Sequence, residues 1–204
     1  QFVEQLLVED LGVKFLVVGD DFRFGKGRVG DFSMLQDEGR KCGFSVVSTQ
    51  SFRFEDFRVS STEVRTALSD DNFELAEKML GRPFTISGKV LHGDKKGRTI
   101  GFPTANLLLK RCNAPINGVF AVQVDIAGKM YSGVANIGTR PTVNGQRSQL
   151  EVHIFHFTGN LYGHFISVAI RAKLRNEVKF DSFEQLHQQI QRDAEQAKQL
   201  LGVN

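Results

Sequence analysis

Val119-Phe-Ala-Val-Gln-Val-Asp-Ile126 is followed by Ala127-Gly128 and then by Lys129-Met-Tyr-Ser-Gly-Val-Ala-Asn-Ile137. Two runs of strand-forming residues flank an Ala-Gly pair, which reads as a tight hairpin turn. Similar runs stand on either side, over residues 84–91, 105–109, 150–157 and 165–174. No helical period separates them, so the chain predicts a closed antiparallel barrel of six strands. The last segment differs. Phe183, Leu186, Ile190, Ala194, Ala197 and Leu201 step by three or four residues and form one apolar stripe of a helix. Ser182-x-x-Gln185 opens that helix as a capping box and Gly202 ends it. Its stripe should pack on the barrel.

Residues 1–80 follow another pattern. Phe15-Leu16-Val17-Val18-Gly19 is a continuous apolar run, expected to be a strand covered on both faces. A second strand is expected around Phe44–Val47, with a helix between the two from Asp31 to Lys41. Phe2, Val3, Leu6 and Leu7 suggest the end of an amphipathic helix. Ser60-Ser61-Thr62-Glu63 reads as a capping box, and a further helix runs from Asn72 to Leu80 before Gly81. The fold class is therefore α/β with a parallel sheet, followed by the barrel and its C-terminal helix. The expected domains are residues 1–80 and 82–204.

Composition agrees with a globular protein. Of 204 residues, 41% are hydrophobic and 24% charged, which excludes collagen-like, low-complexity and wholly disordered chains. No apolar run approaches the ~20 residues that cross a bilayer, and no signal-like segment opens the chain, so no membrane partner is expected. The first residue is not Met, as in a fragment or processed form. Cys42 and Cys112 form neither a CxxC motif nor a disulfide framework, and a reduced, cytoplasmic setting is the simplest reading. Charge is uneven. Residues 1–80 carry 10 basic and 15 acidic groups, net −5, and residues 81–204 carry 16 and 8, net +8. The contrast suggests two units with different ligands. A basic barrel that binds nucleic acid is one alternative, but its basic residues are dispersed and its phenylalanines fall within apolar patterns.

Four segments could carry chemistry. Gly25-Lys26-Gly27-Arg28-Val29-Gly30 matches GxGxxG, but Asp20–Phe24 separates it from the strand before it, so a dinucleotide site is a weak reading. A loop touching phosphate through Lys26 or Arg28 fits better. At Ser60–Arg65, free amides at the helix start with Thr62 and Arg65 could grip a phosphate, or the segment could be an ordinary cap. Gly93-Asp-Lys-Lys-Gly-Arg-Thr-Ile-Gly-Phe-Pro-Thr-Ala-Asn106 is the most specific. Gly93, Gly97 and Gly101 allow close backbone approach, Lys95 and Arg98 add positive charge, and Thr104 and Asn106 place neutral oxygens on one side of an extended stretch. Such oxygens suit Mg²⁺. The alternative is a glycine-rich hairpin without a ligand. Glu151 is a lone carboxylate in the apolar run Leu150–Phe155, a general base if it faces the barrel mouth and a surface charge if it faces solvent. His153 and His156 are three apart on a strand and point to opposite faces, so they do not share a metal.

With these segments in place, the chain resembles the bacterial bifunctional riboflavin kinase/FMN adenylyltransferase family over essentially its whole length. The PTAN signature within Gly97–Asn106 is the most specific part. Supporting segments are Gly118–Val122, Gly133–Thr142, Leu161–Gly163 and Leu174–Glu177, with Val18–Arg28 and Ser60–Arg65 similar to the adenylyltransferase half. The resemblance implies a kinase making FMN from riboflavin and ATP. Thr104 and Asn106 would hold Mg²⁺ and the ATP phosphates, with Gly93, Lys95, Gly97, Arg98 and Gly101 around the phosphates. Glu151 would be the base, and Arg175 would sit in a flexible loop near the flavin. Apolar residues at the barrel mouth would cover the isoalloxazine ring. In the full-length protein, Lys26, Arg28, Ser61, Thr62 and Arg65 would serve ATP for FAD formation. The family's HxGH motif has no counterpart here, since the five histidines are 92, 153, 156, 164 and 187, so the opening strand and helix of the adenylyltransferase half are expected to be missing. Acids are expected in the family where His156 and Asn160 stand. The implied partners are the small molecules ATP, riboflavin and FMN, without nucleic acid, and the oligomeric state stays open.

Overall fold

A computed structural model describes residues 2–49, 53–54, 57–93, 101–109, 115–142 and 145–203. They divide into two compact units, Gln1–Val59 and Ser60–Asn204.

In the first unit, β1 (Phe15–Gly19) and β2 (Ser45–Thr49) pair in parallel, joined through α1 (Phe32–Cys42). Asp31 caps α1 by accepting a hydrogen bond from the Met34 amide, and Gly43 ends it with a left-handed φ of 77°. A wide, π-type helix over Phe2–Asp10 precedes β1 and buries Val3 and Leu7, four residues apart, against Leu35 and Phe44. The expected parallel pairing is present, but β1 is not covered on both faces. Phe15 and Val17 are 61% and 51% exposed, and Val47 beside Val17 is 44% exposed. Helices pack on one side of this two-stranded sheet, so only Leu16, Val18 and Val46 join the core. Two short strands, β3 (Arg53–Phe54) and β4 (Phe57–Arg58), form a separate antiparallel pair.

The second unit starts with a helical hairpin, α2 (Ser61–Ser69) and α3 (Phe73–Leu80). Ser60 and Asn72 cap these helices through the Glu63 and Leu75 amides. Six strands then close into a barrel in the order β10-β5-β6-β9-β8-β7. They are β5 (Thr85–Leu91), β6 (Thr104–Leu108), β7 (Gly118–Ile126), β8 (Lys129–Thr142), β9 (Gly145–Ile154) and β10 (Phe165–Arg175). The Ala127-Gly128 turn has φ of 52° and 84°, the doubly left-handed form that matches strand twist in a two-residue hairpin. Alternation along β7 and β9 sends Phe120, Val122, Val124, Leu150 and Val152 inward, all fully buried. The barrel interior is a packed core. Phe73 of α3 meets Phe120 edge to face at 5.8 Å, and Glu77–Arg171 and Asp71–Lys173 ion pairs tie α3 and its N-terminal turn to β10.

The outward face carries a second core. Val119, Ala121 and Val134 pack with Ala194 and Ala197 of α4 (Phe183–Leu201). The expected stripe is thus the one that docks, and Ser182 caps α4 through the Gln185 amide at 3.2 Å. Phe44, Phe73, Phe120 and Phe155 are buried in these cores. They are packing residues.

Candidate active site

Strand register places the candidate residues in one row. On β9, Glu151 stands directly opposite Asn106 of β6 on one side and Asn136 of β8 on the other. Asn136 in turn faces Val119 of β7, which faces Arg175 of β10. Directly opposed residues share a face, so Asn106, Glu151, Asn136, Val119 and Arg175 line the same side of the barrel wall. That side is the outer one, because Leu150 and Val152 fill the interior. Glu151 therefore faces neither the barrel mouth nor open solvent. It is half-buried in a cavity of about 610 Å³ between the barrel wall, α4 and residues 177–182. The interior of the six-stranded barrel has only enough room for its own side chains, so the cavity beside Glu151 lies outside it. The apolar part of the cavity is formed by Val119, Val134, Phe180, Phe183, Leu186 and Ile190.

Thr104 lies one step along the wall from Asn106, opposite His153, and also lines the cavity. The Asn106 amide is fixed: its Nδ2 donates to the Thr104 carbonyl at 3.3 Å, and its Oδ1 accepts from Gln149 Nε2 at 2.5 Å. Gly93 presses against it. A Cβ at position 93 would come within 2.5 Å of Asn106 Nδ2, so only glycine leaves this amide in place. Gly101 has φ of 79°, where side chains are strained. Lys95, Gly97 and Arg98 lie outside the described residues.

Thr104 and Asn106 offer two neutral hard oxygens, and Asn106 Oδ1 keeps a second lone pair beyond its Gln149 bond. Among the described residues no group of three His, Cys, Asp or Glu could hold a metal. This donor set fits a hard divalent cation that arrives with phosphates and water already bound, and does not fit a cation alone.

Arg175 is the last residue of β10, not part of a loop. Its Nε and Nη2 contact both carboxylate oxygens of Asp193 on α4 at 2.8–3.1 Å, and its Nη1 donates to the Asn176 carbonyl at 2.9 Å. Pairing with Val119 holds its backbone and Asp193 holds its head. Gln189, one turn earlier on α4, donates to the same carboxylate at 2.9 Å. Phe180 lies 5.7 Å from the guanidinium.

His153 Nδ1 sits 2.9 Å from the Pro103 carbonyl. A carbonyl only accepts, so the proton is on Nδ1. Burial holds this imidazole below its ordinary pKa, the Lys198 ammonium adds to that, and the Pro103 bond opposes both.

Ser61, Thr62 and Arg65 are exposed on the first turn of α2 in the second unit. Lys26 and Arg28 lie in the first unit, in a short 3₁₀ turn closed by two 3.0 Å hydrogen bonds between Phe24 and Gly30. Gly30 packs on the Phe24 ring, so the segment is a self-closed hairpin and not a strand running into a helix. Asn160 accepts a bond from the Tyr162 amide, and His156, in the turn after β9, has φ of 54°.

Sequence reasoning missed Asn136, Glu177 and Asp193. Asn136 Nδ2 donates to Glu177 at 3.0 Å. Asn136 and Glu177 lie inside segments that carry the resemblance, yet only strand register sets Asn136 opposite Glu151, and only the Asn136 bond and the shared cavity bring Glu177 to them.

The riboflavin kinase (flavokinase) family pattern matches residues 80–201. The chain belongs to the riboflavin kinase family. The flavokinase match contains the whole barrel, α4 and the row of site residues, and the FAD synthetase family matches residues 1–63. The bifunctional riboflavin kinase/FMN adenylyltransferase of Escherichia coli (strain K12) is 55% identical over 99% of this chain and 65% of its own length. Its Haemophilus influenzae counterpart is 52% identical over 97% of this chain and 64% of its own. The chain thus spans less than two-thirds of the length of these relatives, 65% and 64%. A crystal structure described as a macrolide-efflux protein from Streptococcus pneumoniae has the same fold, with a TM-score of 0.70 and 34% identity over 94% of this chain and 62% of that one. Among the described residues, no helix is long and apolar enough to cross a membrane.

Proposed function

We propose that this flavokinase transfers the γ-phosphoryl group of ATP to the 5′-hydroxyl of riboflavin, giving FMN and ADP. The observation that carries the reading is the row Asn106–Glu151–Asn136, of which Glu151 and Asn136 line, with Thr104, a cavity that also has apolar residues. In the reaction a bond forms between the 5′-oxygen and the γ-phosphorus, and the bond from that phosphorus to the β–γ bridging oxygen breaks. Glu151 takes the hydroxyl proton, a role worth about 10²–10⁴-fold. Asn106 and Asn136 keep the carboxylate between two amides. Thr104 and Asn106 would hold Mg²⁺ delivered with ATP, which neutralises phosphate charge. Gly93 and Gly101 let the backbone approach the phosphates, with Lys95, Gly97 and Arg98 assigned to the same task. The apolar residues take the isoalloxazine ring, and Arg175 borders it.

The functional division falls at residues 80–82, with 1–80 the adenylyltransferase-like part and 82–204 the kinase. In the full-length protein, Lys26, Arg28, Ser61, Thr62 and Arg65 would bind ATP for FAD formation. A reducing, cytoplasmic setting suits the two cysteines.

The test is direct: incubate the chain with riboflavin, ATP and Mg²⁺ and separate the flavins by chromatography. FMN is expected. Unchanged riboflavin rejects the kinase reading.

A further inference from the structure

Glu177 stands on the segment that leaves β10 and lines the same cavity as Glu151. Its position is built from both sides. Asn136 Nδ2 donates to one carboxylate oxygen at 3.0 Å, and this orients the amide, because a carboxylate only accepts. Gly138, two residues along β8 and on the same face as Asn136, leaves room for that carboxylate, and a Cβ there would collide with Glu177 Oε1. Asn136 also faces Glu151 across the β8–β9 pairing. One amide therefore separates two carboxylates along one stretch of wall, and both carboxylates share the cavity with its apolar residues.

The chemistry of this stretch selects hydroxyls and rejects phosphate. A carboxylate accepts from O–H groups, and a second negative charge near Glu151 repels phosphoryl oxygens. ATP phosphates are then confined to the Thr104–Asn106 side. A flexible polyol that reaches Glu151 from a ring held by the cavity's apolar residues has Asn136 and Glu177 on the same lining. We infer that Glu177 is a specificity-determining residue for the acceptor, accepting hydrogen bonds from the inner hydroxyls of the ribityl chain. The inference rests on the kinase reading above and adds to it the group that recognises the polyol.

The experiment compares riboflavin with a flavin whose N10 substituent is 5-hydroxypentyl, which keeps the terminal hydroxyl and lacks the inner ones. Wild type, Glu177→Gln and Gly138→Ala are assayed for KM and kcat, and for flavin Kd by fluorescence. Hydrogen bonds to a charged group support a change of about tenfold. Glu177→Gln should raise the riboflavin KM and Kd about tenfold, with kcat and the ATP KM nearly unchanged and the hydroxypentyl flavin unaffected. Gly138→Ala, which displaces the carboxylate without removing it, should act in the same direction. Equal loss for both flavins, or no loss for riboflavin, overturns the inference. Flavin binding without FMN formation rejects the kinase reading while the Kd comparison still decides the role of Glu177. A wild type that binds neither flavin rejects both.

Discussion

Asp193 grips the guanidinium of Arg175 through both carboxylate oxygens, at 2.8 Å from Nη2 and 3.0–3.1 Å from Nε. The pair joins the end of β10 to the middle of α4, and Asp193 is 3% exposed. Removing one partner leaves the other charge poorly solvated, which typically costs about 3–5 kcal/mol. Arg175 keeps 21% side-chain exposure, so the lower end applies. Asp193→Ala should lower the melting midpoint of the barrel unit by roughly 10 °C. Combining it with Arg175→Ala should cost less than the sum of the two. Calorimetry that finds Asp193→Ala as stable as wild type removes the pair from the account of how α4 is held.

Glu151→Gln keeps shape and removes the proton acceptor. Turnover should fall about 10²–10⁴-fold, while ATP affinity stays within about twofold. Near-normal turnover excludes Glu151 as the base.

Two neutral oxygens do not capture a hard cation by themselves. In calorimetric titrations Mg²⁺ alone should give no saturable binding, whereas Mg²⁺ with ATP should bind. Thr104→Ala combined with Asn106→Ala should abolish the Mg²⁺ dependence. Gly93→Ala should weaken Mg²⁺-dependent ATP binding in the same assay, because the new methyl displaces the Asn106 amide. Nucleotide titrations unchanged in these variants reject the metal assignment.

His153 adds a pH dependence to stability. Its folded pKa lies below the ordinary 6.5 because burial disfavours the imidazolium. The unfolded chain therefore binds the proton more readily. The contribution is complete above about pH 6.5 and is lost as pH falls below that value towards the folded pKa. His153→Gln should flatten the melting midpoint between pH 7.5 and 5 relative to wild type. An equally steep profile in the variant assigns the acid sensitivity to other groups.

Local signals suffice for most of the elements. Ser182 and Gly202 bound α4, Ala127-Gly128 turns β7 into β8, and Ser60 and Asn72 start their helices, because caps and turns depend on residues a few positions apart. Thr104, Asn106 and Glu151 were recognisable as candidates because a glycine-rich segment before neutral oxygens, and a lone acid in an apolar strand, are unusual chemistry in short stretches of chain. Which face they occupy was not legible. Glu151 meets Asn106 from 45 residues away and Asn136 from 15, through pairings set by barrel closure. The filling of the barrel by Phe120, Leu150 and Val152 then forces the polar row outward, beneath α4. The same distance hid Asp193 and Glu177. A local pattern shows what a side chain can do, but long-range packing decides which other groups it meets.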